Sequence, residues 1–142
     1  VSDINLSLDD KQLYVSCWGT GELRQYDVSD PFHPELTGSV HLGGIVRHAA
    51  HAKSGPLNGG PQMEEISRDG KRVYFTNSLY AAWDAQFYPE GIRGWAAMMD
   101  VKPEGGMALN PNFFTEFGEE RPHQIRLQGG DASSDSYCYP SA

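Results

Sequence analysis

Apolar and polar positions alternate along much of this chain with the period of two that marks a half-buried β-strand. Val1 to Ser7, with Ile4 and Leu6 apolar, predicts a first strand. Gln12 to Cys17 predicts a second, Glu22 to Val28 a third and Glu35 to Leu42 a fourth. One stretch occurs twice. Leu6-Ser7-Leu8-Asp9-Asp10-Lys11-Gln12-Leu13-Tyr14-Val15-Ser16 is echoed 60 positions later by Ile66-Ser67-Arg68-Asp69-Gly70-Lys71-Arg72-Val73-Tyr74-Phe75-Thr76. Asp9-Asp10 and Asp69-Gly70 are tight-turn chemistry, because Asp tolerates left-handed backbone and Gly adopts it freely. Each copy therefore reads as strand, hairpin turn, strand, and two copies suggest a repeat architecture built from such hairpins.

The second unit starts at Gln62 to Ile66 and continues through Val73 to Asn77. The aromatic-rich Leu79 to Pro89 has room for one helical turn. Trp95 to Val101 resumes as a strand, Lys102 to Met107 turns, and Asn112 to Phe117 follows Asn110-Pro111 as the last strand of the unit. A third unit opens with His123 to Leu127 as a strand, Gly129-Gly130-Asp131 as a turn and Ser136 to Tyr139 as a final strand. Four short antiparallel strands joined by turns are what one propeller blade needs. The expected class is all-β: a propeller fragment with a blade over 1–42, a long surface loop over 43–61, a blade over 62–118 and a partial blade over 119–142. That loop accounts for a repeat spacing longer than the roughly 40–45 residues of a compact blade. Val1 already lies in a strand-like pattern, so the 142 residues read as the C-terminal part of a single, longer propeller domain.

Composition narrows the function classes. A formal charge of −8 argues against nucleic acid or an anionic membrane as partner. No stretch approaches the roughly 18 apolar residues of a membrane span. Cys17 and Cys138 are too few for a disulfide framework, so a reducing, cytoplasmic setting is expected. An upstream signal peptide would move the protein to the periplasm.

Several blocks resemble the selenium-binding protein family, some members of which are methanethiol oxidases. They are Leu23 to Pro31, Gly59-Gly60-Pro61-Gln62-Met63, Ser78 to Pro89, Leu109-Asn110-Pro111-Asn112-Phe113-Phe114, His123-Gln124-Ile125-Arg126 and Gly129 to Asp135. They run in order through nearly the whole chain and match the C-terminal part of the family, about a third of a seven-bladed propeller. The resemblance implies a copper-dependent oxidase that converts methanethiol, oxygen and water to formaldehyde, hydrogen sulfide and hydrogen peroxide. It implies a small thiol as substrate and the upstream blades of the same chain as structural partners. Most of the metal-binding histidines would lie in those blades; His123 is the one ligand carried over here. The selenium-linked cysteine of animal relatives would also lie upstream. Ala132 stands where animal members tend to have Cys, so this segment does not support a selenium role, and with the Ser136-Tyr137-Cys138-Tyr139-Pro140 ending it looks like the bacterial branch. The alternative function is a non-catalytic propeller that binds selenium or sulfur species, or other proteins.

Beside the resemblance, the residues leave alternatives open. His123 follows Pro122 at the start of an inferred innermost strand, where it could present imidazole to the central channel; Asp3 and Gln62 or Met63 hold comparable places. Imidazole suits copper, and the competing reading is a hydrogen-bonded structural histidine. His48 and His51 would share a face only on a helix, which their Gly- and Pro-bounded loop disfavours, so they read as solvated. His33 and His41 carry no assignment. Cys17 reads as a small buried apolar group rather than a thiol nucleophile, and Cys138 as oxidisable. Tyr80, Trp83, Phe87 and Tyr88 could wall an apolar pocket or pack between blades. Asp84 could orient a histidine or cap a turn. Gly59-Gly60-Pro61 and Gly129-Gly130-Asp131 are weak anion nests, lacking a following helix and lysine.

Overall fold

The computed structural model describes residues 1–102, 104–126 and 129–130. They form two four-stranded antiparallel sheets, each a simple meander. The first holds β1 (Asp3–Leu6), β2 (Gln12–Cys17), β3 (Glu22–Asp27) and β4 (Glu35–His41). The second holds β5 (Glu64–Ile66), β6 (Arg72–Thr76), β7 (Gly94–Val101) and β8 (Met107–Gly118). One helix, α1 (Ala81–Phe87), interrupts the second between β6 and β7. β1 lies beside β5 and β4 beside β8, so the sheets stack in the same order, as successive propeller blades do. The chain is a β-propeller fragment.

The repeated motif explains itself in the turns. Ser7 Oγ donates to Asp9 Oδ1 at 2.6 Å and accepts from the Gln12 amide at 2.9 Å. Ser67 repeats this with Asp69 at 2.6 Å and the Arg72 amide at 3.0 Å. Asp10 and Gly70 occupy the same left-handed position, at φ 59° and 70°. The serine and aspartate thus wire the turn internally, and the glycine in the second copy takes up the positive φ without strain.

Between the sheets lies the core. Leu23, Leu42, Ile66, Val73, Phe75, Trp95 and Met99 are all buried in one cluster. Each contributes about 1.5–3 kcal/mol by leaving water. Gln25 crosses the same seam: its Nε2 donates to Tyr14 Oη at 3.2 Å and its Oε1 accepts from the Gly106 amide at 2.8 Å.

Three details differ from the sequence-based expectation. The stretch over 79–89 forms seven helical residues rather than one turn. β8 starts at Met107 and runs through Asn110-Pro111 instead of starting after them. Its register jumps there, with Ala97 facing Phe114 and Met99 facing Leu109. Proline has no amide to give the ladder, so a bulge is where a strand tolerates it, and Asn110 Oδ1 caps the amides of Asn112 and Phe113 at 2.9 and 3.1 Å. Finally, His123 to Arg126 form no strand. Leu127 and the final strand over 136–139 lie outside the described residues.

The loop over 43–61 is not a solvated surface excursion. Gly43 pairs with Ala49 and Ala50 with Pro56 in isolated bridges. Gly43, Gly44, Leu57 and 59–61 are buried. A side chain at Gly43 would collide with the Gly59 carbonyl. The amide of Gly44 donates to that carbonyl at 2.7 Å. Asn77, fully buried, ties this loop to the second sheet. Its Nδ2 donates to the carbonyls of Asn58 (3.1 Å) and Arg93 (2.9 Å), and its Oδ1 accepts from the Trp95 amide at 2.8 Å. Asn77→Ala in the full-length protein is expected to cost about 2 kcal/mol, because the buried Trp95 amide and the Arg93 carbonyl lose their partner, while the Asn58 carbonyl keeps the Trp95 indole N–H at 3.0 Å. Asn77→Asp should cost at least as much, since a carboxylate would face two carbonyls. Denaturant titration checks both.

Candidate functional site

The meander sorts the connections onto two ends. At one end lie the tight turns, 7–11 and 67–71, with 28–34 and 102–106. At the other, where Asp3 faces Ser16, Cys17 faces Glu22, Glu64 faces Phe75 and Gly94 faces Gly118, lie 18–21, 42–63, 77–93 and 119–126. Every long connection of the described residues is on that second end. Loops gathered on one face of a rigid scaffold are where binding and catalysis concentrate, and His123 sits there.

His123 is exposed and stands on a coil strapped to the α1 insertion. Its Nε2 lies 2.6 Å from the Leu79 carbonyl oxygen, and its Nδ1 lies 3.3 Å from the Arg121 carbonyl. A carbonyl only accepts, so Nε2 carries a proton. The shorter contact fixes the ring; in the neutral tautomer the proton is on Nε2 and the Nδ1 lone pair faces the Arg121 carbonyl, so Nδ1 reaches a ligand only when that weaker contact opens. A second strap runs in parallel: Arg121 Nε donates to Asp84 Oδ2 at 2.8 Å. Asp84 is 1% exposed and sits in the first turn of α1, where the helix dipole favours a negative charge. Asp84 is therefore neither a turn cap alone nor the partner of His123. It anchors the neighbouring arginine and so holds the coil that carries the imidazole. Tyr80 comes near the same ring, with centroids 6.3 Å apart.

The four aromatic residues of the insertion divide: Trp83 and Phe87, with centroids 6.1 Å apart, line a shallow surface cavity with Ala82 and Gln86, and Tyr80 and Tyr88 do not join them. Tyr88 is buried and packs edge-on against Trp18 at 5.7 Å, in a small cluster with Ile92. Tyr80, Trp83 and Phe87 are on the surface. Trp18 in turn donates its indole N–H to the Asn77 carbonyl at 2.9 Å.

The other histidines divide. His51 is buried, not solvated as its loop suggested: Nε2 donates to the Asn110 carbonyl at 2.8 Å, Nδ1 accepts from the Lys53 amide at 3.1 Å, and the ring stacks on Phe114 at 4.8 Å. Both nitrogens are used, and the residue clamps the loop onto the β8 bulge. His48 is half-buried and bonds Asn58 Oδ1 through Nδ1 at 2.9 Å. His33 pairs with Asp30 on the surface at 2.8 Å. Cys17 is only half-buried, facing out from β2 beside Val15 and Leu13. Gly59-Gly60-Pro61 pack against Asn77 and the Trp18 carbonyl, so their amides form no open nest. Gly130 lies next to the Arg68 guanidinium; Cys138 and Asp131 are outside the described residues.

One group was missed in the sequence. Glu64 begins β5 and is 2% exposed, in the seam between the sheets. Burial pushes its carboxyl well above the usual carboxylate value, and the Asp3 carboxylate adds to the shift. The repeat offered the signal, since the matching position in the first copy is the apolar Ile4.

Among the described residues no group of three His, Cys, Asp or Glu side chains is close enough to hold a metal ion. What this segment can offer a metal ion is the single imidazole of His123. Orientation of one ring nitrogen by a carbonyl, with the other left to the metal, is the arrangement ligating histidines use.

Comparison with known proteins agrees with the fold and with the sequence blocks. The family model described as "56kDa selenium binding protein (SBP56)" matches residues 1–138. The chain is 45% identical to methanethiol oxidase of Homo sapiens, over 95% of this chain and 34% of that protein. It is 41% identical to selenium-binding protein 3 of Arabidopsis thaliana, over 95% of this chain and 33% of that one. An X-ray structure of a hypothetical selenium-binding protein from Sulfolobus tokodaii superposes with a TM-score of 0.89 at 62% identity, over 99% of this chain and 31% of that one. The chain belongs to the 56 kDa selenium-binding protein family and spans about a third of the length of these relatives.

The double strap is testable. Arg121→Ala in the full-length protein leaves a buried carboxylate without its cation and is expected to cost about 2 kcal/mol, allowing for the arginine's partial exposure. Adding Asp84→Asn to that variant should recover part of the loss in a double-mutant cycle.

Proposed function

We propose that the full-length protein containing this segment is a methanethiol oxidase, acting on methanethiol, dioxygen and water to give formaldehyde, hydrogen sulfide and hydrogen peroxide. The observation that supports this most is 45% identity to a methanethiol oxidase sustained over 95% of the chain. We further propose copper as the metal, with His123 as the ligand this segment lends and the remaining ligands supplied by other blades. The chemistry such a metal supplies is electron transfer between a thiol sulfur and dioxygen.

The part played by these residues is positional. The Leu79 carbonyl holds His123 Nε2–H, and a metal would take Nδ1 in place of its weaker contact with the Arg121 carbonyl. The Asp84–Arg121 pair keeps the coil at a constant distance from the insertion. Leu79 packs against the Trp18–Tyr88–Ile92 cluster, so the carbonyl that orients the ring is itself on rigid ground. A 1 Å displacement of a ligand is costly for reactivity, which gives the straps a purpose.

A second reading rests on the relatives named as selenium-binding proteins, at 41–45% identity: a propeller that binds selenium or sulfur species without turnover. The two separate in one experiment. Under the oxidase reading, the purified full-length protein holds stoichiometric copper and releases hydrogen peroxide from methanethiol, and His123→Ala loses copper and peroxide production together. Binding without turnover in a copper-free protein would favour the second reading. Full activity in His123→Ala would remove this residue from the site. Isolated residues 1–142 are expected to show no thiol oxidation, because the other ligands are absent.

A further inference from the structure

The two copies of the repeat treat one position differently. Ile4, on β1, is 58% exposed on the outer face of the first sheet. Its counterpart 60 positions on is Glu64, on β5, wedged between the first and second sheets at 2% exposure. A face that is apolar in one copy carries an acid in the other, and in the second copy that face is closed by the neighbouring sheet. Among the described residues, both walls of the seam belong to this segment.

The geometry around Glu64 joins the sheets. Its amide donates to Asp3 Oδ2 at 3.0 Å, and its carbonyl accepts from Asn5 Nδ2 at 2.9 Å. Its carboxyl Oε2 meets the Ser16 hydroxyl at 3.1 Å, while Oε1 is buried without a hydrogen-bond partner. The titratable and polar groups that face it are Asp3 from β1, Tyr14 and Ser16 from β2, and Glu65 on its own strand. Across the ladder on β6 stands Phe75, which has no charge to offer. Among the described residues, none of the groups that face it is a cation. A carboxylate here would be a buried charge with one bare oxygen and a second carboxylate nearby, whereas a carboxylic acid fits.

We propose that Glu64 is a protonation-dependent latch between the two blades: as the acid it closes the β1–β5 seam at the loop end, and as the carboxylate it loosens that seam. The sign follows from proton linkage. Burial holds the folded-state value above the unfolded one, so the folded protein binds the extra proton between the two. The stabilisation is complete below the ordinary glutamate value and is lost as the pH rises from there towards the folded-state value. The loops that carry His48, Leu79 and His123 hang from the same end of the two sheets, so loosening the seam would reach them through β1 and β5.

The test uses the full-length protein and its Glu64→Gln variant, which keeps shape and hydrogen bonding without the charge. Between pH 4 and pH 8 the thermal midpoint of the wild type is expected to fall relative to the variant by about 3 °C or more, with the two closest together at pH 4. Parallel pH profiles would overturn the latch. Should the variant fold poorly, hydrogen exchange on the wild type alone decides. Protection of the Glu64 amide, which donates across the seam to Asp3, corrected for intrinsic rates, should drop with pH against the β7 amides as reference; a constant ratio overturns the proposal. Calcium or magnesium raising the midpoint of the wild type at pH 8 but not of Glu64→Gln would also overturn it, replacing the latch with a cation site.

Discussion

The loop end of the protein is organised by one side-chain amide. Asn77 closes β6 and turns its Nδ2 on two carbonyls and its Oδ1 on the Trp95 amide, tying together the 43–61 loop, the 77–93 insertion and β7. Its own carbonyl receives the Trp18 indole from the first sheet. Four chain segments therefore meet at one buried residue. An amide is the side chain that serves here, because it offers two donors and an acceptor without a charge to bury. With this junction set, Gly43 and Gly59 can pass in close contact, the loop can reach β8 through His51, and the insertion can present Leu79 to the coil after β8.

Much of the architecture was legible in the residues. Strand positions followed from the period of two, and the Ser-x-Asp turns from their own short-range chemistry, which needs no tertiary partner. The family was legible because its blocks are contiguous. The elements that were misjudged depend on distant contacts. Pro111 suggested a strand boundary, yet a bulge capped by Asn110 lets β8 run through it. His51 looked solvated because its loop is rich in Gly and Pro; only the β8 bulge and Phe114, some 60 residues away, show why it is buried. Gly- and Pro-rich sequence marks a departure from regular structure and says nothing about where the segment packs.

The candidate site divides in the same way. His123 could be singled out from its motif, whereas its orientation rests on a backbone carbonyl, and backbone partners leave no trace in sequence. Arg121 and Asp84 are 37 positions apart and belong to different elements. The aromatic residues after Leu79 were conspicuous by type, but helix geometry sends Tyr88 inward and Trp83 outward, so composition alone gave them a unity that the fold does not. Glu64 shows the reverse: an ordinary surface residue by type, it stands out only once the sheets are stacked.

The account turns on His123 being held through Nε2, with Nδ1 exchanging its 3.3 Å contact with the Arg121 carbonyl for a metal. Anomalous diffraction at the copper edge, on crystals of the full-length protein, tests this most directly. The account predicts a copper peak within bonding distance of His123 Nδ1, with the Nε2 contact to the Leu79 carbonyl intact. Copper bound through Nε2 with that contact broken, or copper remote from His123, would contradict it.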